Sequence, residues 1–286
     1  MRRLILFILA TAPALTLGAV GRLAAGPRGL ALGVIAGVAL AVLAYWRAGS
    51  GLLRVFRARE ISQSAPKLKL TTEKLAAIAG VPCPRLYLAP SKSPNAFAVG
   101  RSASHSAVVV TEGLLESLTP EEVEGVIGHE IAHIANNDTL INTLTATCAG
   151  AIGVFAGRAR FAALAGNKLA PTSRSAVLLA GLVAPVAATL VQLAVSRSRE
   201  FAADRQGAGY ANRHLELASA LKKIDRSPVR IDHDRLPHTA HLFVYSSFNR
   251  RYVSALFSTH PPVEERVRRL EELAAIGGGL NESKVA

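Results

Sequence analysis

Apolar positions gather in four uncharged runs, Leu4–Gly21 (18 residues), Gly29–Trp46 (18), Thr139–Gly157 (19) and Ser175–Ser196 (22). About 20 mainly apolar residues cross the hydrocarbon core of a bilayer as a helix. The first, second and fourth runs meet or approach that length. Asn142 and four threonines dilute the third. Pro13 and Pro185 do not exclude spans, because membrane helices tolerate proline. A cleaved signal peptide is the other reading of Leu4–Gly21, but the run is longer than the usual apolar core of one. A second run so soon after the first favours an uncleaved helical hairpin. For the third and fourth runs, the alternative is a pair of buried soluble helices.

Between and after these runs the pattern changes period. Residues 47–70 read as a basic, membrane-proximal linker. Thr71–Gly80 reads as a short helix stopped by Gly80. Arg85–Leu88 and Ala107–Thr111 read as strands, and Ala89–Ser104 as a polar loop between them. Thr119–Asn137 is a helix with a full start signal: Thr119 as cap, Pro120 at the first helical position, and Glu122 three residues after the cap. Arg197–Asp225 is helical with an interruption near Gly207–Gly209, and Pro262–Ile276 is a charged amphipathic helix. The fold class expected is an α-helical membrane protein carrying a mainly helical, α+β domain with a small sheet. Its parts would be a transmembrane hairpin (1–50), a first part of that domain (51–138), a second apolar hairpin (139–196) and its second part (197–286).

Charge refines this picture. The 33 Lys+Arg against 20 Asp+Glu give a net charge of +13, which suits nucleic acid or an anionic membrane face. The basic groups Arg47, Arg54, Arg57, Arg59, Lys67 and Lys69 follow the second apolar run directly, so anionic lipid is the expected partner and nucleic acid is not. By the positive-inside rule the bulk of the chain faces the cytoplasm. Arg158, Arg160, Lys168 and Arg174 fit poorly in an exterior loop between the third and fourth runs. Either both runs span or neither does; two spans is the reading adopted. Two cysteines, Cys83 and Cys148, are too few for a disulfide framework.

The chemistry lies in the well-capped helix, as His129-Glu130-Ile131-Ala132-His133. Residues i and i+4 share a helical face, so both imidazoles can reach one ion. Imidazole suits zinc, and an acid next to the first histidine is placed to take a proton from a metal-bound water. A catalytic zinc takes three protein ligands and keeps a position for water. Glu200 and Asp204, again i and i+4, are candidates for the third ligand and for a partner of a ligating histidine's free N–H. A solvated acidic pair neutralised by Arg197 or Arg205 fits the same spacing.

Taken together, four segments resemble the HtpX-type membrane zinc metalloproteases, relatives of the zinc-dependent CAAX prenyl proteases. They are His129–His133 extended to Asn136-Asn137-Asp138, Ser196–Asp204, Pro94-Asn95-Ala96-Phe97-Ala98, and Phe257–Pro262. The resemblance implies a zincin-like catalytic domain built from 51–138 and 197–286, a gluzincin-like zinc endopeptidase with Glu130 as base and His129, His133 and Glu200 as ligands. It implies misfolded or unassembled membrane proteins as substrates, cut at the cytoplasmic side of the cell membrane. It places Asn95, Ala96 and Phe97 beside the substrate cleft, and makes Ala107–Val110, with Ala107 and Val108, the edge to which an extended peptide adds. His260 becomes a candidate donor to the oxyanion, or else a loop histidine held by its prolines. His233, His238, His241, His105 and His214 read as surface. A prenyl-protein protease is the rival enzyme, though four apolar runs are few for an intramembrane chamber. A zinc-binding scaffold is the rival without catalysis, and intact Glu130 speaks against it.

Overall fold

The computed structural model describes residues 2–47, 49–143, 197–227 and 262–282. The third apolar run beyond Thr143 and the whole of the fourth fall outside these residues. So do His260, His233, His238, His241 and Cys148. The chain divides into two compact units. One contains Met1–Gly51, and the other is assembled from three stretches, here residues 52–140, 197–227 and 262–282.

In the first unit, helix α1 (Arg2–Trp46) is broken at Ala25 (φ −142°) and Gly26 (φ +63°). Gly26 supplies the left-handed backbone that reverses the chain. The two arms then lie against each other through small residues. A Cβ on Gly29 would strike the Gly21 carbonyl, one on Gly33 the Leu17 carbonyl, and one on Gly37 the backbone of Pro13 and Ala14. The four-residue spacing of Gly29, Gly33 and Gly37 is the small-residue seam that lets apolar helices approach without large side chains between them. The aliphatic groups point the other way: Leu32, Ile35, Val42 and Leu43 are exposed. Tyr45 and Trp46, edge to face at 6.0 Å, end the arm. Its stretch Ala25–Trp46 (22 residues) is long and apolar enough to cross a membrane.

The second unit is a four-stranded sheet backed by helices. Helix α2 (Ser50–Val55) leads into β1 (Arg59–Glu60), α3 (Pro66–Ile78), β2 (Arg85–Ala89), β3 (Ala96–Ser102) and β4 (His105–Thr111). Helices α4 (Glu112–Ser117) and α5 (Pro120–Ala135) follow, then α6 (Arg197–Ala211), α7 (His214–Arg226) and α8 (Val263–Glu282). Strand order is β1-β2-β4-β3, with β2 and β4 parallel and the other pairs antiparallel. Alternate residues serve opposite faces. Leu86, Val108, Val110, Ala96 and Ala98 join the helical core around α5, while Val99, Ala107 and Val109 pack under Leu52, Leu53 and Phe56 of the linker.

Three expectations change here. Ala96–Ser102, within the segment read as a polar loop, is a strand; its small residues and Gly100 hide the usual β signal. Residues 47–70 are not a bare linker, since α2 and β1 lie within them. The expected interruption at Gly207–Gly209 is absent: α6 runs through both, and the chain turns at Asn212 (φ +53°).

Helix α5 starts as its sequence predicts. The Thr119 hydroxyl accepts from the Glu122 N–H, and the Thr119 N–H donates to the Glu122 carboxylate at 2.8 Å. Glu122 also accepts from Ser219 (2.7 Å) and Lys223 (2.8 Å), so one buried carboxylate starts α5 and fastens α7 to it. Burial alone would raise its pKa, but the bonds from Lys223, Ser219 and Thr119 outweigh that and lower it. A lowered folded-state value means that the stabilisation is complete above the unfolded value of about 4.3. It is lost as pH falls through the folded value. Glu122→Gln is therefore expected to unfold at lower temperature than wild type near neutrality, with the gap closing in acid. Melting curves from neutral to acidic pH test this, and a gap that stays constant with pH would count against it.

Candidate metal centre

Almost every residue of α5 from Glu122 to Ile134 is buried, so His129, Glu130 and His133 stand inside a packed core. Polar groups persist there only with partners. Helix α6 supplies them. Its buried positions Glu200, Ala203, Asp204, Gly207, Ala208 and Ala211 form a stripe at helical spacing, with two carboxylates followed by small residues. Gly207 is what lets the helices meet. A Cβ there would stand 2.5 Å from His129 Cα and N, and one on Gly128 would stand 2.5 Å from the Gly207 carbonyl oxygen.

At this close approach the donors converge. His129 Nε2 lies 3.2 Å from His133 Nε2 and 3.7 Å from Glu200 Oε2. His133 Nε2 lies 3.5 Å from Glu200 Oε1. Zinc with bonds of about 2.0–2.2 Å in tetrahedral geometry needs donor atoms roughly 3.3 Å apart. The two imidazole nitrogens meet the two oxygens of one carboxylate at these separations, and one donor atom from each residue lies within 4.8 Å of the others, a set that fits that ion. They form the single such cluster among the described residues.

Each imidazole turns its other nitrogen to a carboxylate. Asp204 Oδ1 is 2.9 Å from His129 Nδ1, and Asp138 Oδ2 is 3.3 Å from His133 Nδ1. A proton held on Nδ1 leaves the Nε2 lone pair for the metal. Asn137, at φ +56°, makes the turn that brings Asp138 back toward α5. Burial would lower the His133 pKa; Asp138, Glu200 and Glu130 outweigh it and raise it. The surroundings thus favour positive charge at the centre. Burial would raise the Asp204 pKa, but Arg266 and His129 hold it well below the usual carboxylate range.

Arg266 was not singled out by the sequence. It lies on α8, only 3% exposed, and donates to Asp204 through Nε (2.7 Å) and Nη2 (2.6 Å). A signal existed: Val263, Val267 and Leu270 define the apolar face of α8, and Arg266 falls on it.

The expected peptide-binding strand needs correction. β4 is paired on both sides, with β2 and with β3, so Ala107 and Val108 have no open edge. Ala107 also points away from α5. The edge is β3, whose opposite side pairs with no strand among the described residues. β3 packs against α5 and starts at Ala96. Asn95 is held just before it by one backbone bond, its carbonyl accepting from the Thr111 N–H (3.0 Å), and the Thr111 hydroxyl accepts from the Asn95 N–H (2.9 Å). Phe97 turns its ring to Phe56 (4.8 Å), on the face away from α5, so its side chain does not reach the metal centre.

Two histidines and a glutamate on two helices, with an acid beside the first histidine, define a zinc metallopeptidase of the HExxH class. Residues 62–274 match the model of peptidase family M48, and the chain belongs to that family. A protease HtpX homolog of Desulfatibacillum aliphaticivorans is 38% identical over 266 residues, covering 91% of this chain and 86% of that protein. A protease HtpX homolog of Persephonella marina is 40% identical over 268 residues, covering 91% and 93%. The crystal structure of S. mikatae Ste24p is similar to 94% of this chain and 65% of that one, with 18% identity and a TM-score of 0.48. The chain is accordingly a zinc metalloprotease.

Proposed function

We propose that the protein is a membrane-anchored zinc endopeptidase that hydrolyses misfolded or unassembled membrane proteins on the cytoplasmic side. The observation that carries this is the donor triad of His129, His133 and Glu200 with Glu130 beside it on a buried helix. Bound zinc would supply a water of lowered pKa and polarise the scissile carbonyl. His129 and His133 would hold the ion through Nε2, and Glu200 through its carboxylate. Glu130 would accept the attacking water's proton and deliver it to the leaving amine.

The substrate class follows from the edge strand and the anchor. A peptide added to β3 is held by main-chain bonds, which every extended sequence offers. The residues that β3 turns toward α5, Ala96 and Ala98, are small and impose little on a neighbouring side chain. Binding of this kind suits unfolded chains rather than one sequence. The anchor is the α1 hairpin, with small residues inside, aliphatic groups outside and an aromatic pair at its end, as lipid requires. The basic residues that follow orient it with the catalytic unit in the cytoplasm.

Membrane vesicles carrying the protein, prepared in both orientations, test the reading. Inside-out vesicles are expected to degrade added casein, and right-side-out vesicles to leave it intact. A chelator should stop cleavage, and added zinc should restore it. Cleavage by right-side-out vesicles alone would reverse the orientation. A zinc-loaded protein that spares casein but cuts prenylated peptides would overturn the substrate class.

A further inference from the structure

We propose that Arg266 is a positioning residue of the metal centre, clamping Asp204 from the C-terminal helix so that His129 presents Nε2 to zinc; this rests on the ligand set proposed above. Asp204 is a short side chain whose carboxylate could rotate about its last torsion. The guanidinium is a planar fork, and it binds both Asp204 oxygens at 2.7 and 2.6 Å. That fixes the carboxylate plane. Asp204 Oδ1 then stands 2.9 Å from His129 Nδ1, where its charge favours a proton on Nδ1 and leaves Nε2 for the metal. Arg266 Nη2 is also 4.0 Å from Glu200 Oε2. Its one positive charge thus faces two of the carboxylates gathered here, Asp204 and Glu200, and restrains their mutual repulsion when no metal is present.

The clamp reaches the site from a separate stretch of chain. α5 brings the histidines, α6 the third donor and Asp204, and α8 the arginine. Val267 and Leu270, buried beside Arg266, seat α8 against α6 and α7. Metal affinity should therefore depend on α8, although α8 contributes no ligand.

The test uses the full-length protein in detergent and reads zinc affinity by competition with a chelating indicator. It adds the visible spectrum of the cobalt-substituted protein and the melting temperature without metal. Arg266→Lys keeps the charge but not the fork, and Arg266→Gln keeps neither. Both are expected to weaken zinc binding about 10–100-fold, the range for outer-shell partners of metal ligands, and to shift the cobalt bands. Arg266→Gln also leaves a buried carboxylate without its cation and could fail to fold. The double variant Asp204→Asn/Arg266→Met removes both charges together. Because Arg266 acts through Asp204, the double variant should bind zinc as Asp204→Asn does alone. Wild-type affinity and cobalt spectrum in a folded Arg266→Lys would overturn the clamp. So would a double variant whose loss is the product of the two single losses. Zinc binding is measured apart from proteolysis, so a failure to cut casein bears on the substrate proposal and not on this one.

Discussion

Glu130→Gln is expected to lose peptide hydrolysis while keeping its zinc. The substitution is nearly isosteric and removes only the capacity to take a proton. Glu130 sits in the middle of a buried helix, flanked by packed Ile131 and Ile127, so a neutral amide of the same shape should fit. It is not one of the three converging donors. The loss should fall on kcat, by about 10²–10⁴-fold or more, the range for a positioned acid–base group, with KM little changed. Metal analysis beside steady-state kinetics on casein measures both. Near-wild-type turnover would remove Glu130 from the chemistry. Loss of zinc together with activity would make it a ligand or a support instead of a base.

The second large effect is expected at a residue that carries no side chain, in Gly207→Val. Gly207 and Gly128 face each other across the α5–α6 contact, and a Cβ on Gly207 would lie 2.5 Å from backbone atoms of Gly128 and His129. Backbone cannot turn aside as a side chain can, so the helices must separate. Overpacking of this kind costs typically 1–3 kcal/mol. The larger consequence is geometric. The donor edges of 3.2 to 3.7 Å already sit at the span of one zinc ion, and Glu200 would move off with α6. Zinc content should fall even in protein that stays folded. Gly209→Ala is the control on the same helix: a Cβ there meets nothing within 4 Å. It should stabilise slightly, by up to about 1 kcal/mol through helix propensity. Full zinc occupancy in Gly207→Val would show that the glycine pair does not set the helix spacing.

These two glycines mark where the sequence was readable and where it was not. The α5 signals are local: a cap, a proline, a glutamate three residues on, two histidines at helical spacing. Each is visible within one turn or two, and α5 forms where they place it. The pairing of Glu200 with Asp204 is local as well, but its meeting with His129 is not. Gly207 read as a helix breaker because glycine is usually a backbone device; here it is an absence of side chain that another helix fills. Arg266 has one local signal, its place on the apolar face of α8 with Val263, Val267 and Leu270, but its partner Asp204 is visible only in the tertiary contact. The strands show the same limit. Ala107-Val108-Val109-Val110 is apolar without alternation, the mark of a strand covered on both faces. Its place in the middle of the sheet depends on β3, which the sequence concealed.

The sheet's two edges are unequal, and this bears on solubility. An exposed edge strand templates pairing with any extended chain, including another copy of the same protein. The β1 edge is only Arg59–Glu60, two charged and exposed residues, too short to recruit a neighbour. The β3 edge is seven residues long, but its register shifts between Gly100 and Ser102. Arg101 lies within that irregularity, which leaves Ala96–Gly100 as the regular run. A protease that grips unfolded chains by their backbone, as proposed above, would risk stacking with itself into fibres. Among the described residues, the β3 strip is closed at one end by an irregularity and has no counterpart of its length across the sheet, so docking there as proposed would admit one client segment and give a growing stack no second side.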